Sequence, residues 1–271
     1  MIGRWWQALR QRRDDAAVAR RAIPDDLWKR TLVRYPFLRR RDPADAAELR
    51  RLTSLFLDRK EFSAAGGLKL TDAIVVAIAA QAVLPVLRLG LARYDGFVGI
   101  VVHPDQVVAR REVADDDGVV HEYDEVLAGE AMEGGPVMLS WRDVRAAGRL
   151  EGAGGYNVVI HEFAHVLDMA DGESDGVPLL PPELPRGQWL AVLEPAYEEF
   201  ARVVEAAGDE DPGTALDPYA AQGADEFFAV ASESFFVEPA ALRGAHPALF
   251  ELLARFYRQD PEADTAPSRP R

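Results

Sequence analysis

Residues 158–168 read VVIHEFAHVLD, an apolar segment that carries two histidines and a glutamate. On a helix, His161 and His165 lie four residues apart, so both imidazoles project from one face on successive turns. A helix this apolar on all sides is buried. Two imidazoles and a carboxyl group in such a helix need partners, because unpaired buried polar groups are costly. The fold must therefore bring acids, donors or a metal ion against this helix.

A metal satisfies all three groups at once. Two imidazole nitrogens at this spacing can each approach a zinc ion to about 2.0–2.1 Å. Glu162 is rotated about 100° from His161. It can reach a water at the metal without being a ligand, the position of a general base. The chain has no cysteine, which leaves His, Asp and Glu as ligands.

A catalytic zinc site usually has three protein ligands, so a third is needed. The metzincin spacing would put a histidine at 171 and a glycine at 168, but these are Asp171 and Asp168. Asp171 could still ligate. Asp168, Asp171 and Asp175 near Gly172 and Gly176 could form a cation loop, although a polar loop is the expectation and the EF-hand spacing is absent. The better candidates stand in residues 225–236, DEFFAVASESFF. Glu226 and Glu233 are seven apart and share one helical face. One can ligate the metal while the other orients a ligand imidazole. His103, His121 and His246 are isolated and expected to be structural or exposed.

The rest of the 271 residues supports a sizeable core, with 48% hydrophobic residues. Residues 1–50 hold 13 Lys/Arg and 7 Asp/Glu, whereas the whole chain carries a net charge of −14. The acidic body argues against direct nucleic-acid binding. The basic start is expected to be a solvated helix face or a mobile arm. The most apolar stretch, residues 73–87, is interrupted by Gln81 and Pro85, too short for a membrane span, and reads as a buried helix pair. No apolar leader is visible, and a cytoplasmic location is expected.

Helix starts are expected at Pro24-Asp25, Asp42-Pro43, Thr71-Asp72 and Asp225, with Asp225 as cap of helix 226–237. Strands are expected at 97–102, 107–113, 119–126 and 136–141, with a turn at 115–118. Strand 136–141 could align an extended peptide by edge pairing. Helices are expected at 189–207 and 247–257. The fold class is α+β, with a helical region at 1–95, a catalytic region at 96–258 and a disordered tail at 259–271, forming one compact unit.

HEFAH followed by LDM at 167–169, DPYAA at 217–221 and EFFAVASESFF at 226–236 together resemble the Mlc titration factor A family, bacterial zinc metallopeptidases of the gluzincin kind. LPVLRLGL at 84–91, YDGF at 94–97 and GPVMLSW at 135–141 match as well, so the resemblance runs from about 20 to 260. It implies a zincin-like fold, zinc on His161, His165 and Glu226, Glu162 as catalytic base and Tyr219 as a transition-state hydrogen-bond donor. It also implies aminopeptidase-type cleavage of peptides, and binding to a transcriptional repressor resembling Mlc that governs sugar phosphotransferase uptake. A regulatory binding protein with vestigial peptidase activity is the alternative.

Overall fold

A computed structural model describes residues 2–114, 120–147 and 155–262. The chain begins with helices α1 (Ile2–Arg20), α2 (Asp25–Arg34) and α3 (Pro43–Arg59), then strand β1 (Glu61–Ala64) and helix α4 (Asp72–Ala82). Strands β2 (Gly99–His103), β3 (Val107–Ala114), β4 (Val120–Leu127), β5 (Gly129–Ala131) and β6 (Val137–Ser140) follow. Helices α5 (Trp141–Ala146), α6 (Val158–Asp168), α7 (Arg186–Ala207), α8 (Ala224–Val237), α9 (Pro239–Ala245) and α10 (Pro247–Tyr257) complete it. The class is α+β, as expected.

Helix starts follow side-chain chemistry. The Asp42 carboxylate accepts from Asp45 N–H at 2.8 Å ahead of Pro43, and Thr71 caps α4 through Ile74 N–H. Asn157 caps α6 by accepting from Ile160 N–H at 3.0 Å. Each supplies an acceptor to an otherwise orphaned amide of the first turn. The expected cap of α8 is different. Gly223, with extended backbone, precedes the helix, and Asp225 lies inside its first turn. A Cβ at Gly223 would meet only the end of the Asp225 side chain, with Oδ1 at 2.3 Å.

The sheet is small and mixed, in the order β1-β2-β6-β5. β1 pairs parallel to β2, β2 pairs parallel to β6, and β5 pairs antiparallel to β6. β3 and β4 form a separate antiparallel hairpin whose 115–118 turn lies outside the described residues. The expected edge role of strand 136–141 is overturned. β6 ends at Ser140 and lies inside the sheet, with Ile100 opposite Val137 on one side and Gly129 opposite Leu139 on the other. The edge belongs to β5. Trp141, expected in the strand, instead starts α5, where Ser140 accepts from Asp143 N–H at 3.3 Å.

α6 packs against both α4 and α8. Ile78, Ala79, Val159, Ile160, Phe163, Phe227 and Phe235 are all fully buried in this layer. Residues 73–87 form one helix and a series of turns, not a helix pair. α1 is helical and tied to α3 by ion pairs Arg20–Asp58 at 3.0 Å and Arg59–Asp14 at 3.1 Å. The chain stays packed beyond Gln259, where disorder was expected. The buried Gln259 amide donates to Leu84 C=O at 3.0 Å, and Arg243 binds Asp260 and Glu262. Residues 263–271 lie outside the described residues. Among the described residues no helix is long and apolar enough to cross a membrane.

Candidate metal centre

His161 and His165 emerge from α6 toward Glu226 in the first turn of α8. Glu226 Oε2 lies 3.1 Å from His161 Nε2 and 3.4 Å from His165 Nε2, and the two nitrogens are 3.2 Å apart. Donor atoms bound tetrahedrally to a metal at about 2.0–2.1 Å stand about 3.3 Å from one another. The observed triangle has that size. These three residues are the one group of three or more metal-capable side chains among the described residues.

The atoms in the triangle are also short of partners. Glu226 Oε2 is buried and accepts no hydrogen bond of good geometry. The donor set is two imidazoles and a carboxylate, which suits zinc and leaves a position open. The residues present therefore fit a metal of that kind.

Glu233 does a separate job two turns along α8. It is 3% exposed, and its Oε1 accepts from His161 Nδ1 at 2.8 Å. A carboxylate can only accept, so His161 carries a proton on Nδ1, and this hydrogen bond turns Nε2 toward the triangle. The other oxygen, Oε2, accepts from Asn157 N–H. Asn157 Nδ2 then donates to Gln81 Oε1 at 2.9 Å, and Gln81 donates to Ala77 C=O at 3.0 Å. A buried polar chain thus runs from α4 to the imidazole. Gly155 makes this approach possible: its φ is +80°, and a Cβ there would meet Ser234 Cα at 2.8 Å.

Glu162 projects from the same helix toward β5. It is 5% exposed, and a Cβ on Gly129 would stand 2.5 Å from its Oε1. Burial pushes its carboxyl up to about 7, against the pull of His161 and His165 and a backbone hydrogen bond from Ala131. A base with this value is well placed for proton transfer near neutrality. Burial alone would raise Glu226 too, but the imidazoles beside it pull its carboxyl down to about 2. Burial would lower His161, yet Glu226 and Glu233 hold it well above the usual histidine value. The centre is thus arranged to hold positive charge.

Tyr219 sits in a short 3-10 turn, Pro218–Ala221, started by Asp217, whose carboxylate accepts from Tyr219 N–H at 2.9 Å. Its hydroxyl lies 3.4 Å from Glu226 Oε1, and the side chain is 40% exposed at the mouth of the site.

The other candidates lie elsewhere. Asp171 is exposed in the turn after α6 and accepts from Glu173 N–H at 3.3 Å. Asp168 accepts from Gly176 N–H at 3.0 Å, and Asp175 binds Arg186 at 2.5 Å, so these acids tie a loop. His246 packs on Phe200 and Phe227, and His103 ends β2. The side chain of His121 is outside the described residues. Sequence reasoning missed Asn157, Gln81 and Gly129 as parts of the site. Gln81 left one trace, as a polar residue in an apolar helix.

A buried HExxH helix completed by an acid from a second helix defines a candidate metallopeptidase centre, and the comparisons agree with that class. The sequence matches the profile of the glucose-regulated metallo-peptidase M90 family over residues 6–258, and the chain belongs to that family. Mlc titration factor A of Klebsiella pneumoniae (strain 342) is 36% identical over 235 residues, 86% of each chain. Mlc titration factor A of Yersinia pestis (strain Pestoides F) is 37% identical over 227 residues, 82% of this chain and 81% of its own. The protein of the same name from Yersinia pseudotuberculosis serotype O:1b (strain IP 31758) aligns with the same figures. The resemblance carried by the motifs is thereby confirmed.

Proposed function

We propose that the chain is a zinc-dependent peptidase of the aminopeptidase type and that His161, His165 and Glu226 hold its metal. The observation that carries this reading is the 3.1, 3.2 and 3.4 Å triangle of two imidazole nitrogens and a buried carboxylate oxygen that accepts no hydrogen bond of good geometry. When bound there, zinc would polarise a water and the substrate carbonyl.

The chain's own groups supply the remaining chemistry. Glu162 takes a proton from the attacking water and later delivers it to the leaving amine. A carboxyl near pH 7 in its proton affinity can do both. Tyr219 donates its hydroxyl hydrogen to the developing oxyanion from the open side of the site. Glu233 keeps His161 in one tautomer and one orientation. Burial of Glu162 and Glu233 excludes bulk water from the proton path.

Metal content of purified full-length protein, measured by plasma mass spectrometry beside Glu226→Ala, tests the ligand set. About one zinc per chain in the wild type, largely lost in the variant, is expected. Full retention in Glu226→Ala would remove Glu226 from the ligand set.

The name of the relatives, Mlc titration factor A, supports a second role, binding to a repressor resembling Mlc. Glu162→Gln separates the roles: hydrolysis should disappear while complex formation with such a repressor persists. Loss of both in a folded, zinc-loaded variant would argue against independent roles.

A further inference from the structure

Helix α1 carries two exposed tryptophans that the metal centre does not use. Trp5 is 59% exposed and Trp6 62%, whereas Trp28 and Trp189 are buried in the core. The two rings meet edge to face with centroids 5.1 Å apart. In the sequence Ile2, Trp5, Trp6 and Leu9 recur at the spacing of one helical face. The residues that fix α1 to the body, Asp14, Ala17 and Arg20, lie in its second half. Among the described residues of α1 only Ala17 is buried. The tryptophans are thus held out on helix that the core does not need.

The charge on this segment is one-sided. The first 13 residues hold four arginines and no acid, in a chain whose net charge is −14. Arg10, Arg12 and Arg13 are exposed and form no ion pair among the described residues. The nearest acids are engaged: Asp14 binds Arg59, and Asp58 binds Arg20 and Arg21. A groove of about 1040 Å³ beside the tryptophans is bordered by Trp6, Leu9, Arg10, Arg12 and Arg13. Apolar rings and unpaired guanidinium groups therefore share one opening.

That pairing matches the boundary between hydrocarbon and anionic headgroups. Indole rings settle at headgroup level, and guanidinium groups bind phosphate oxygens. A helix with both lies in the plane of the interface. The acidic remainder of the chain is repelled by the same surface, so it faces solution and α1 meets the surface first. Nucleic acid offers the phosphates without a hydrocarbon layer for the indoles. An acidic protein surface offers charge alone.

We propose that α1 is an interfacial anchor that attaches the protein reversibly to an anionic phospholipid surface through Trp5, Trp6, Arg10, Arg12 and Arg13. A single short apolar face with a few arginines gives reversible attachment, not insertion. α1 packs on α3 and contributes no residue to the metal centre, so the inference stands apart from the peptidase reading.

The test sediments full-length protein with vesicles of equal parts phosphatidylcholine and phosphatidylglycerol, and with vesicles of phosphatidylcholine alone. At about 0.15 M salt the anionic vesicles should bind at least about 10-fold tighter, and the difference should shrink as salt rises. Joint Arg10→Gln, Arg12→Gln and Arg13→Gln should weaken binding about 100-fold, at about 5-fold per arginine. Joint Trp5→Ala and Trp6→Ala should weaken it about 10-fold or more, while Trp5→Phe with Trp6→Phe retains most of it. Quenching of wild-type tryptophan fluorescence by brominated anionic lipid needs no variant and serves if the alanine pair fails to fold. It should be strong, and its absence overturns the proposal. So does equal binding to both vesicle types, or full binding by the folded alanine pair. A dimer in lipid-free solution that the alanine pair loses would assign the face to a second copy of the chain and overturn the anchor. Tighter binding to a short DNA duplex than to the anionic vesicles would overturn it as well.

Discussion

α4 and α6 are neighbouring buried helices that solve the same problem differently. Each is apolar around most of its surface and each carries polar groups into the core. In α4 the polar residue is Gln81, fully buried, and protein groups satisfy it: Ala77 C=O takes its hydrogen and Asn157 supplies one. In α6 the back of His161 is satisfied the same way by Glu233. Its front is not. Two imidazole nitrogens and a carboxylate oxygen face one another with nothing of the protein between them. Burial of a polar group thus says only that a partner exists. What distinguishes a ligand site is a set of buried electron pairs that converge on each other.

That contrast predicts a graded series of effects. Glu226→Ala removes one corner of the triangle and should abolish metal retention and hydrolysis together. Glu162→Gln should keep the metal and lower kcat by about 10²–10⁴-fold, the typical contribution of a general base. Activity that survives unchanged in this variant would exclude Glu162 as the base. Glu233→Gln leaves the triangle but disturbs the tautomer of His161, so metal affinity, measured by competition with a chelator, should fall by about 10–100-fold. Gln81→Leu strands the Asn157 amide in the core. It should cost about 1–3 kcal/mol in denaturant unfolding and change zinc affinity less than Glu233→Gln does.

The smallest effect concerns Asp168, at the end of α6. Burial pushes its carboxyl from 3.8 up to about 7, despite the hydrogen bond from Gly176 N–H. The folded protein therefore holds a proton that the unfolded chain releases at lower pH. Stability associated with Asp168 is fully present below about pH 4 and declines as pH rises toward about 7. Asp168→Asn keeps an acceptor for Gly176 and removes the ionisable group. Its Tm relative to wild type should improve between pH 5 and pH 8; an unchanged difference would mean that Asp168 does not titrate in this range.

Much of this site was legible in the sequence, for a reason the two helices illustrate. His161, Glu162, His165, Glu226 and Glu233 stand in otherwise apolar helical runs, and polar residues in such runs report on partners. The choice between Glu226 and Glu233 was not legible from spacing, because both share a face; it depends on which turn of α8 lies beside which end of α6. Asn157 and Gln81 are 76 residues apart, and no local pattern joins them. β5 escaped notice because Gly-Glu-Ala has no β-branched residue and only three positions. With β5 unseen, strand 136–141 looked like an edge. Sheet order is set by long-range pairing, and the parallel neighbours of β2 come from both sides of it in the chain. The caps of α3 and α4 were readable because their chemistry is local.

The most direct test of the account is an anomalous difference map, at the zinc edge, from crystals grown with zinc. The account predicts one strong peak about 2.0–2.2 Å from His161 Nε2, His165 Nε2 and Glu226 Oε2. A peak on Glu233 or in the Asp168–Asp175 loop, with the triangle empty, would contradict it.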